Sequence, residues 1–283
     1  MKIAPTRLAL VLAGLLAATA AVAGERENVR ADDAVRVVRQ IQAIPEASIP
    51  DRLLDEAKAI VVVPDTIKAG FVLGGRRGLG LMSVKSLDGT WSNPVFVKLA
   101  GASFGLQAGV QSADVILVFR NDRGVDSIVN GKITLGADAG IAAGPVGRNA
   151  SAATDGELKA EIWSWSRARG LFAGVALDGA VLSIDNGANR TAYGEGTTPR
   201  AVFEGRAPHA PSAAITGFRD ALEEATAAAR QARGRQLREP PTESIQSSGG
   251  TSVSGEARVQ PLASDNPATT TPLQPATAPA SKP

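Results

Sequence analysis

Residues 115–119 read Val-Ile-Leu-Val-Phe, a run that is apolar at every position. A strand with one face in water alternates polar and apolar residues, so a run that is apolar on both faces is typical of a central strand covered on each side. Other short β-rich runs accompany it: 60–63, 71–73, 79–85, 95–99, 162–166, 171–177 and 181–184. Turn dipeptides stand among them: Asp88-Gly89, Asn130-Gly131 and Asp178-Gly179. Many short strands at this spacing predict an antiparallel β-barrel or sandwich.

Helical periodicity on either side of the β-rich region predicts the layer that covers it. Apolar residues recur at helical spacing over 25–44 with arginines between them, which indicates an amphipathic helix. A short helix is expected over 50–58, with Pro50 in its first turn. Residues 212–237 predict an Ala-rich helix whose narrow apolar stripe is Ile215, Phe218 and Leu222. The predicted fold class is therefore α+β, with flanking N-terminal helices and a C-terminal Ala-rich helix.

The first residues have the pattern of a secretory signal. Lys2 and Arg7 precede an apolar stretch over 8–23, which closes on Ala21-Val22-Ala23, the A-x-A pattern of a cleavage site. The stretch is shorter than the roughly 20 residues of a spanning helix. We therefore expect an exported, periplasmic protein whose mature form begins near Gly24.

Composition also predicts how the rest of the chain is organised. Residues 240–283 are rich in Pro, Thr, Ser, Ala and Gly and poor in large apolar side chains, so we expect a disordered tail. The predicted organisation is a signal peptide over 1–23, a folded domain over 24–205, a linker and Ala-rich helix over 206–239, and the tail.

Composition excludes several classes of function. The chain has no cysteine, which removes disulfides, thiolate zinc sites and a catalytic thiol. A formal net charge of +2, with basic residues interspersed among carboxylates, offers no broad positive field for nucleic acid. One histidine and scattered acidic residues predict no metal site, and Asp185-Asn186-Gly187 is expected to be a turn rather than a calcium loop. We expect no cofactor and no nucleic-acid partner.

One motif raises the alternative of a serine hydrolase. Gly101-Ala102-Ser103-Phe104-Gly105 fits the G-x-S-x-G nucleophile elbow, in which a serine sits on a sharp turn from strand to helix. No helix signal follows Ser103, and the one histidine, His209, lies in a proline-flanked linker where a catalytic base is not expected. The motif is expected to be a chance match, and the protein is predicted not to be an enzyme.

A second motif points to recognition of an anionic surface. Over 161–170, strand alternation puts two tryptophans and two arginines on one face: Trp163, Trp165, Arg167 and Arg169. Tryptophan favours interfaces and arginine matches phosphate geometry. The alternative is that both indoles are core residues and the arginines pair with carboxylates, and spacing alone leaves it open.

Further basic residues lie in a glycine-rich stretch and near it. Residues 74–80 match neither standard phosphate-binding loop and predict a glycine-rich β-turn, whose Arg76 and Arg77 can still contact a head group. The predicted head-group residues are Lys68, Arg76, Arg77, Arg148, Arg167 and Arg169, and the predicted interfacial aromatic residues are Trp163 and Trp165.

Four ordered blocks of the chain resemble the SYLF domain family, and together they extend over most of residues 25–194. The blocks are Ala59-Ile60-Val61-Val62-Val63-Pro64 leading to Lys68-Ala69-Gly70-Phe71; Trp91 to Phe96 leading to Gly105, Gln107 and Gly109; Leu135-Gly136-Ala137-Asp138-Ala139 with Ala143-Gly144-Pro145-Val146-Gly147-Arg148; and Ser166-Arg167-Ala168-Arg169-Gly170-Leu171-Phe172-Ala173-Gly174-Val175 with Asp178-Gly179 and Tyr193-Gly194. Two departures are Trp165, where a tyrosine is usual, and Ala192, where the family often has a further tyrosine.

The resemblance implies an α+β domain that binds phospholipids, with phosphoinositides and actin as partners described for eukaryotic relatives. An exported, bacterial-type member is expected to meet other lipids and no actin. The resulting expectation is a non-enzymatic, peripheral phospholipid-binding protein of the cell envelope. The alternative is a structural or interaction protein of the envelope whose lipid binding is incidental.

Overall fold

The computed structural model describes residues 5–43, 49–145, 160–168 and 171–236 of the chain. The chain divides into two units, 1–240 and 241–283, and every described residue belongs to the first. The described helices are α1 (Pro5–Gln42), α2 (Asp51–Glu56), α3 (Asp122–Val129), α4 (Asn186–Tyr193), α5 (Pro199–Phe203) and α6 (Ala213–Gln236). The described strands are β1 (Ala59–Val84), β2 (Val95–Phe119), β3 (Lys132–Thr134), β4 (Ile141–Ala143), β5 (Ile162–Ala168), β6 (Leu171–Gly174) and β7 (Val181–Ile184). The predicted α+β class is confirmed.

The seven strands form one curled sheet built around the β1–β2 hairpin. Its order is β3-β7-β2-β5-β4, with β1 paired to β2 and β6 paired to β5. Every strand pair is antiparallel except β4–β5. Residues 115–119 of β2 lie between β1 and β5, and all five side chains are buried. The apolar run is therefore the central strand that the sequence predicts.

Two long strands replace several of the short strands that the sequence predicts. The runs 60–63 and 71–73, and the run 79–85 up to Val84, belong to the single strand β1, which pairs with β2 from Ala59 to Met82. Shifts of register interrupt the pairing between Val63 and Thr66 and again after Gly70, so the strand bends at β-bulges instead of ending.

The bends bring two parts of β1 into direct contact, and this closes the sheet into a half-barrel. A Cβ atom added to Gly80 would lie 2.2 Å from the carbonyl oxygen of Val62, and one added to Gly78 would lie 2.4 Å from Cγ1 of Val63. Only glycine allows so close an approach of backbone to backbone. The hairpin therefore folds back on itself.

The middle of the hairpin extends beyond the sheet as a two-stranded arm, which we define as residues 66–78 of β1 and 100–112 of β2. Strand β2 pairs with β7 up to Ala100 and with β5 from Asp114 onward. Between those two points, β1 is the one strand among the described residues that pairs with β2. Apart from Ala100 at its base, which still pairs with Val181 of β7, both edges of the arm therefore lack a further strand within the described part of the chain.

Helices α1 and α6 form the main helical layer. Along α1 the buried positions Ala31, Ala34, Val38 and Ile41 recur at helical spacing, as predicted for an amphipathic helix. On α6 the predicted stripe is buried, and the helix packs against α1. The Ala-rich helix, which the sequence placed outside the domain that ends at residue 205, thus contributes to the same core.

Three short helices, α3, α4 and α5, were not predicted. Helix α3 follows β2, and α4 begins directly after the predicted turn at Asp185, whose side chain accepts a hydrogen bond from the backbone N–H of Ala188 at 3.2 Å. Asp185 is thus a helix N-cap.

Helix α1 continues through the predicted cleavage site before Gly24, and the predicted tail lies outside the described residues. Within the described residues, none of the helices combines the length and the apolar composition that a membrane crossing requires.

Candidate functional site

The arm carries three of the six predicted head-group residues, Lys68, Arg76 and Arg77. Residues 66–78 and 98–113 contain four basic side chains and no carboxylate. The fourth cation, Lys98, lies 3.1 Å from Asp185, whereas the other three make no hydrogen bond or ion pair with any residue that the structure describes. The arm therefore presents uncompensated positive charge.

Arg76 is the cation of the arm whose charge is clearly desolvated by burial. Its guanidinium is half-buried, and this desolvation lowers the pKa of Arg76 below its ordinary value. Arg76 shares the face of Gly78, where an added Cβ atom would lie 2.6 Å from Oγ1 of Thr66, so this is the inner face of the folded hairpin. Alternation puts Lys68 on the same inner face and leaves Arg77, which is exposed, on the outer one. An anion at this site would satisfy a charge that the fold leaves without a described partner.

The arm also exposes two apolar side chains that sequence analysis did not single out. Ile67 is 52% exposed and Val110 is 75% exposed. Ile67 pairs with Ser112 and Ala69 pairs with Val110, so Ile67 and Val110 lie on one face as diagonal neighbours across the two strands. Strand alternation could have shown which residues share a face within each strand. Grouping Ile67 with Val110 also requires the pairing register of the long hairpin, which the sequence did not predict.

An ion-pair network anchors the base of the arm and includes Arg167. The carboxylate of Asp114 is buried and accepts a hydrogen bond from the backbone N–H of Asp65 at 3.0 Å. It lies 3.4 Å from the guanidinium of Arg167 and 3.8 Å from that of Arg36 on α1. Arg167 also stacks over the ring of Phe172 at 5.6 Å. Sequence analysis left open whether the arginines pair with carboxylates. In the structure Arg167 does so, with Asp114.

The two predicted interfacial tryptophans both pack against the core. Trp165 has no exposed surface, and its indole N–H donates to the carbonyl oxygen of Pro145 at 3.3 Å. Trp163 is partly buried, and its indole nitrogen is buried without a hydrogen-bond partner among the described residues. The sequence correctly placed both indoles on the same face of β5 as Arg167, whose cross-strand partner is Asp114. That face is covered at Trp165.

Arg148 and Arg169 lie outside the described residues, so the structure does not place these two predicted head-group residues.

The Ser103 motif lacks the local structure of a nucleophile elbow. Ser103 pairs with Gly74 in the middle of β2, and the strand continues to Phe119 without a turn into a helix. Among the described residues, no three His, Cys, Asp or Glu side chains come close enough together to hold a metal ion.

Lys85 is a further perturbed group that the sequence did not indicate. Burial, together with the charge of Arg230, lowers the pKa of Lys85 to about 8. Its ammonium donates to the carbonyl oxygens of Leu54 at 2.8 Å and Asp55 at 2.9 Å, and it lies 4.9 Å from the ring centre of Trp91. These contacts dock the end of α2 on the β1–β2 turn, so Lys85 acts as a structural cation.

Comparison with known proteins agrees with the resemblance found in the sequence. Residues 100–225 match the model of the Ysc84 family, described as "Las17-binding protein actin regulator". The chain is 35% identical over 168 residues to Protein YSC84 of Saccharomyces cerevisiae, which is 58% of this chain and 36% of that protein.

Two further relatives show the same extent of similarity. LAS seventeen-binding protein 3 of Saccharomyces cerevisiae is 35% identical over 161 residues, which cover 56% of this chain and 35% of that protein. Human SH3 domain-containing YSC84-like protein 1 is 32% identical over 169 residues, which cover 58% of this chain and 49% of that protein. The matched segment thus spans half or less of each of these relatives.

Proposed function

We propose that this chain, whose residues 100–225 match the Ysc84 family model, is a member of the SYLF domain family and a non-enzymatic interaction protein that binds anionic phospholipid at the surface of a cell-envelope membrane. The observation that carries the proposal is the arm, where Lys68, Arg76 and Arg77 have no carboxylate within the strand segments around them. The location in the envelope rests on the secretory pattern that precedes Gly24.

The strength expected of such a site follows from the number of free cations. Each basic side chain near an anionic membrane surface contributes about 1 kcal/mol. Three such contacts give about 3 kcal/mol, which corresponds to a gain in affinity of about 100-fold. Binding is therefore expected to be reversible, and it should weaken with salt because exposed charges are screened over about 8 to 10 Å at physiological ionic strength.

The proposal narrows the set of residues that are expected to contact lipid. Lys68, Arg76 and Arg77 are its core, and Arg148 and Arg169 remain candidates. Arg167 and Trp165 are assigned structural roles, since the first is held by Asp114 and the second is buried. Trp163 is not needed for the proposal.

Vesicle flotation of the chain from Gly24 onward tests the proposal. Wild type is expected to float with phosphatidylglycerol vesicles and not with phosphatidylcholine vesicles. Replacing Lys68, Arg76 and Arg77 by glutamine should reduce binding by about 100-fold. A matched control removes the same charge elsewhere, by glutamine at three exposed basic residues: Arg123, Lys132 and Arg200.

The control should retain most of the binding. Equal losses in both variants would show that total charge, and not the arm, is responsible. Failure of wild type to float on any anionic vesicle would overturn the proposal.

A second candidate function is protein binding, which the printed names of the relatives favour. One yeast relative is named for binding a protein, and the family model is described as an actin regulator. On this reading the arm would bind an acidic segment of a partner protein. An actin partner is not expected for an exported chain, so affinity capture from an envelope extract, without vesicles, is the matching test.

A further inference from the structure

We propose that the arm enters the boundary between head groups and acyl chains of an anionic bilayer, with Ile67 and Val110 in contact with the acyl region and its three cations at the phosphates. This inference rests on the proposed function and assigns the element that makes the membrane contact. The arm is assigned this role in preference to α1, because the described apolar stripe of α1 is buried in the core.

The first support is the position of the exposed apolar side chains. Among the described residues, the large apolar side chains that are more than half exposed are Val29, Ile67, Leu87, Val110 and Leu171. Ile67 and Val110 are the two that the β1–β2 register places as diagonal neighbours. A pair of exposed apolar side chains in a segment with free cations is the composition of a surface that meets both acyl chains and phosphates.

The charge of the arm favours an anionic bilayer, rather than a second copy of the chain, as its binding partner. Pairing the edges of two arms would bring Lys68, Arg76 and Arg77 of each copy together without a carboxylate in either arm. Like charges that face each other across paired strands are destabilising. An anionic lipid surface, in contrast, is opposite in charge to every cation of the arm, and head groups around an inserted arm can reach both its outer face, with Arg77, and its inner face, with Lys68 and Arg76.

The free edges of the arm limit how deeply it enters. Both edges present backbone N–H and C=O groups that no described strand satisfies. In the hydrocarbon interior each such group costs several kcal/mol, so open sheet edges do not occur there. At the head-group boundary, water and phosphate oxygens can pair with these groups. The arm is therefore a shallow wedge that reaches about 5 to 10 Å into the interface.

Site-specific labelling tests the insertion directly, because the chain contains no cysteine. Single cysteines in place of Ile67 or Val110 carry an environment-sensitive fluorophore, and Leu87→Cys and Leu171→Cys serve as controls, since both are exposed apolar residues outside the arm. With phosphatidylglycerol vesicles, the labels at 67 and 110 should shift to the blue and be quenched by lipids brominated near the head group. The labels at 87 and 171 should not respond.

A second variant measures the contribution of the apolar pair without a label. Ile67→Ser combined with Val110→Ser is expected to reduce vesicle binding by about 10-fold, because contact of two aliphatic side chains with the acyl region is lost. The salt dependence of the remaining binding should be unchanged, since the three cations are intact. The fold should be retained because both residues are exposed.

The outcomes separate this inference from the proposed function. Flotation with unresponsive labels at 67 and 110, or unchanged binding of the serine variant, would overturn the wedge while the proposed function stands. A stronger response at 87 or 171 would also overturn it. If polyglutamate shifts the label at 110 as strongly as vesicles do, the arm binds an acidic peptide and the bilayer assignment is wrong. Absence of all vesicle binding would instead remove the proposed function itself.

Discussion

Oδ1 of Asp114 accepts a hydrogen bond from the backbone N–H of Asp65 at 3.0 Å, at the place where β1 leaves regular pairing. Asp65 has a φ of 45°, a left-handed conformation that is rare for a residue other than glycine. The same carboxylate lies close to Arg36 on α1 and Arg167 on β5. One buried acidic side chain therefore holds the bulge, the helix and the neighbouring strand together at the base of the arm.

Replacing Asp114 by alanine is expected to lower the free energy of unfolding by about 2 to 4 kcal/mol, because it leaves the backbone N–H of Asp65 without its acceptor and removes the buried carboxylate that pairs with both Arg36 and Arg167. Asp114→Asn should cost less, since an amide oxygen can still accept from the N–H of Asp65. Urea unfolding followed by circular dichroism measures both. Asp32→Ala, at an exposed position of α1, is the control. Equal stability of the alanine variant and wild type would show that the bulge does not depend on this carboxylate.

Gly144→Ala is expected to be destabilising because the site has no room for a methyl group. An added Cβ atom would lie 2.0 Å from Cε2 of Trp165, which is fully buried and cannot move aside. Overpacking of this kind costs about 1 to 3 kcal/mol. Gly140→Ala is a close control, since nothing lies within 4 Å of its added Cβ atom. The midpoints of urea unfolding should differ between the two variants, and equal midpoints would contradict the packing described.

The same contact shows what sequence alone could establish about the tryptophans. Alternation in β5 correctly predicted that Trp163 and Trp165 share a face with Arg167, because the side-chain period of a strand is a local property. Whether that face is wet depends on what packs over it. The cover at Trp165 includes Gly144 and Pro145, which come from another part of the chain. Local periodicity carries no information about such contacts, so burial at Trp165 was not predictable.

The long hairpin shows a related limit. The glycine-rich stretch 74–80 was predicted to be a β-turn, since glycine commonly marks turns, but it lies within the continuous strand β1. In the structure Pro64 stands at the bulge beside Asp65, and Gly78 and Gly80 allow the strand to fold back on Val62 and Val63. The core segments 60–63, 95–99 and 115–119 were predicted because their apolar runs are long enough to be decisive. The arm between them, and the diagonal placement of Ile67 and Val110 on one face of it, could not be predicted without the register of the hairpin.

Lys85 provides a pH-dependent prediction. The pKa of Lys85 is about 8 in the folded protein and has the ordinary value of 10.5 for an exposed lysine when the chain unfolds. Between these two values the unfolded state binds more protons, so stability rises with pH, and the slope contributed by one group is at most about 1.4 kcal/mol per pH unit. The gain is complete above pH 10.5 and is lost as pH falls through 8.

Urea unfolding at intervals between pH 7 and 10 checks this prediction for wild type and Lys85→Met. The variant cannot titrate at this position, so the stability of wild type relative to the variant should increase with pH above 8. Parallel curves for the two proteins would contradict the lowering of the pKa of Lys85 by burial and by the charge of Arg230.

Arg167 and Arg77 should behave in opposite ways, because one arginine is held inside the fold and the other is free on the arm. Arg167 is 22% exposed and pairs with Asp114, which is 8% exposed at its side chain, so Arg167→Ala should lower the free energy of unfolding by about 1 to 3 kcal/mol. Arg77 is exposed without a described partner, so Arg77→Ala should change stability by no more than about 0.5 kcal/mol.

The effects of the two substitutions on binding to phosphatidylglycerol vesicles should have the reverse order. Loss of Arg77 removes one contact of about 1 kcal/mol and reduces affinity by about fivefold, whereas the folded fraction of Arg167→Ala should bind as wild type does. Flotation at a temperature where both variants are folded, paired with urea unfolding of each, gives the four values. If Arg167→Ala loses vesicle binding while Arg77→Ala retains it, the lipid-contacting surface lies on β5 and not on the arm.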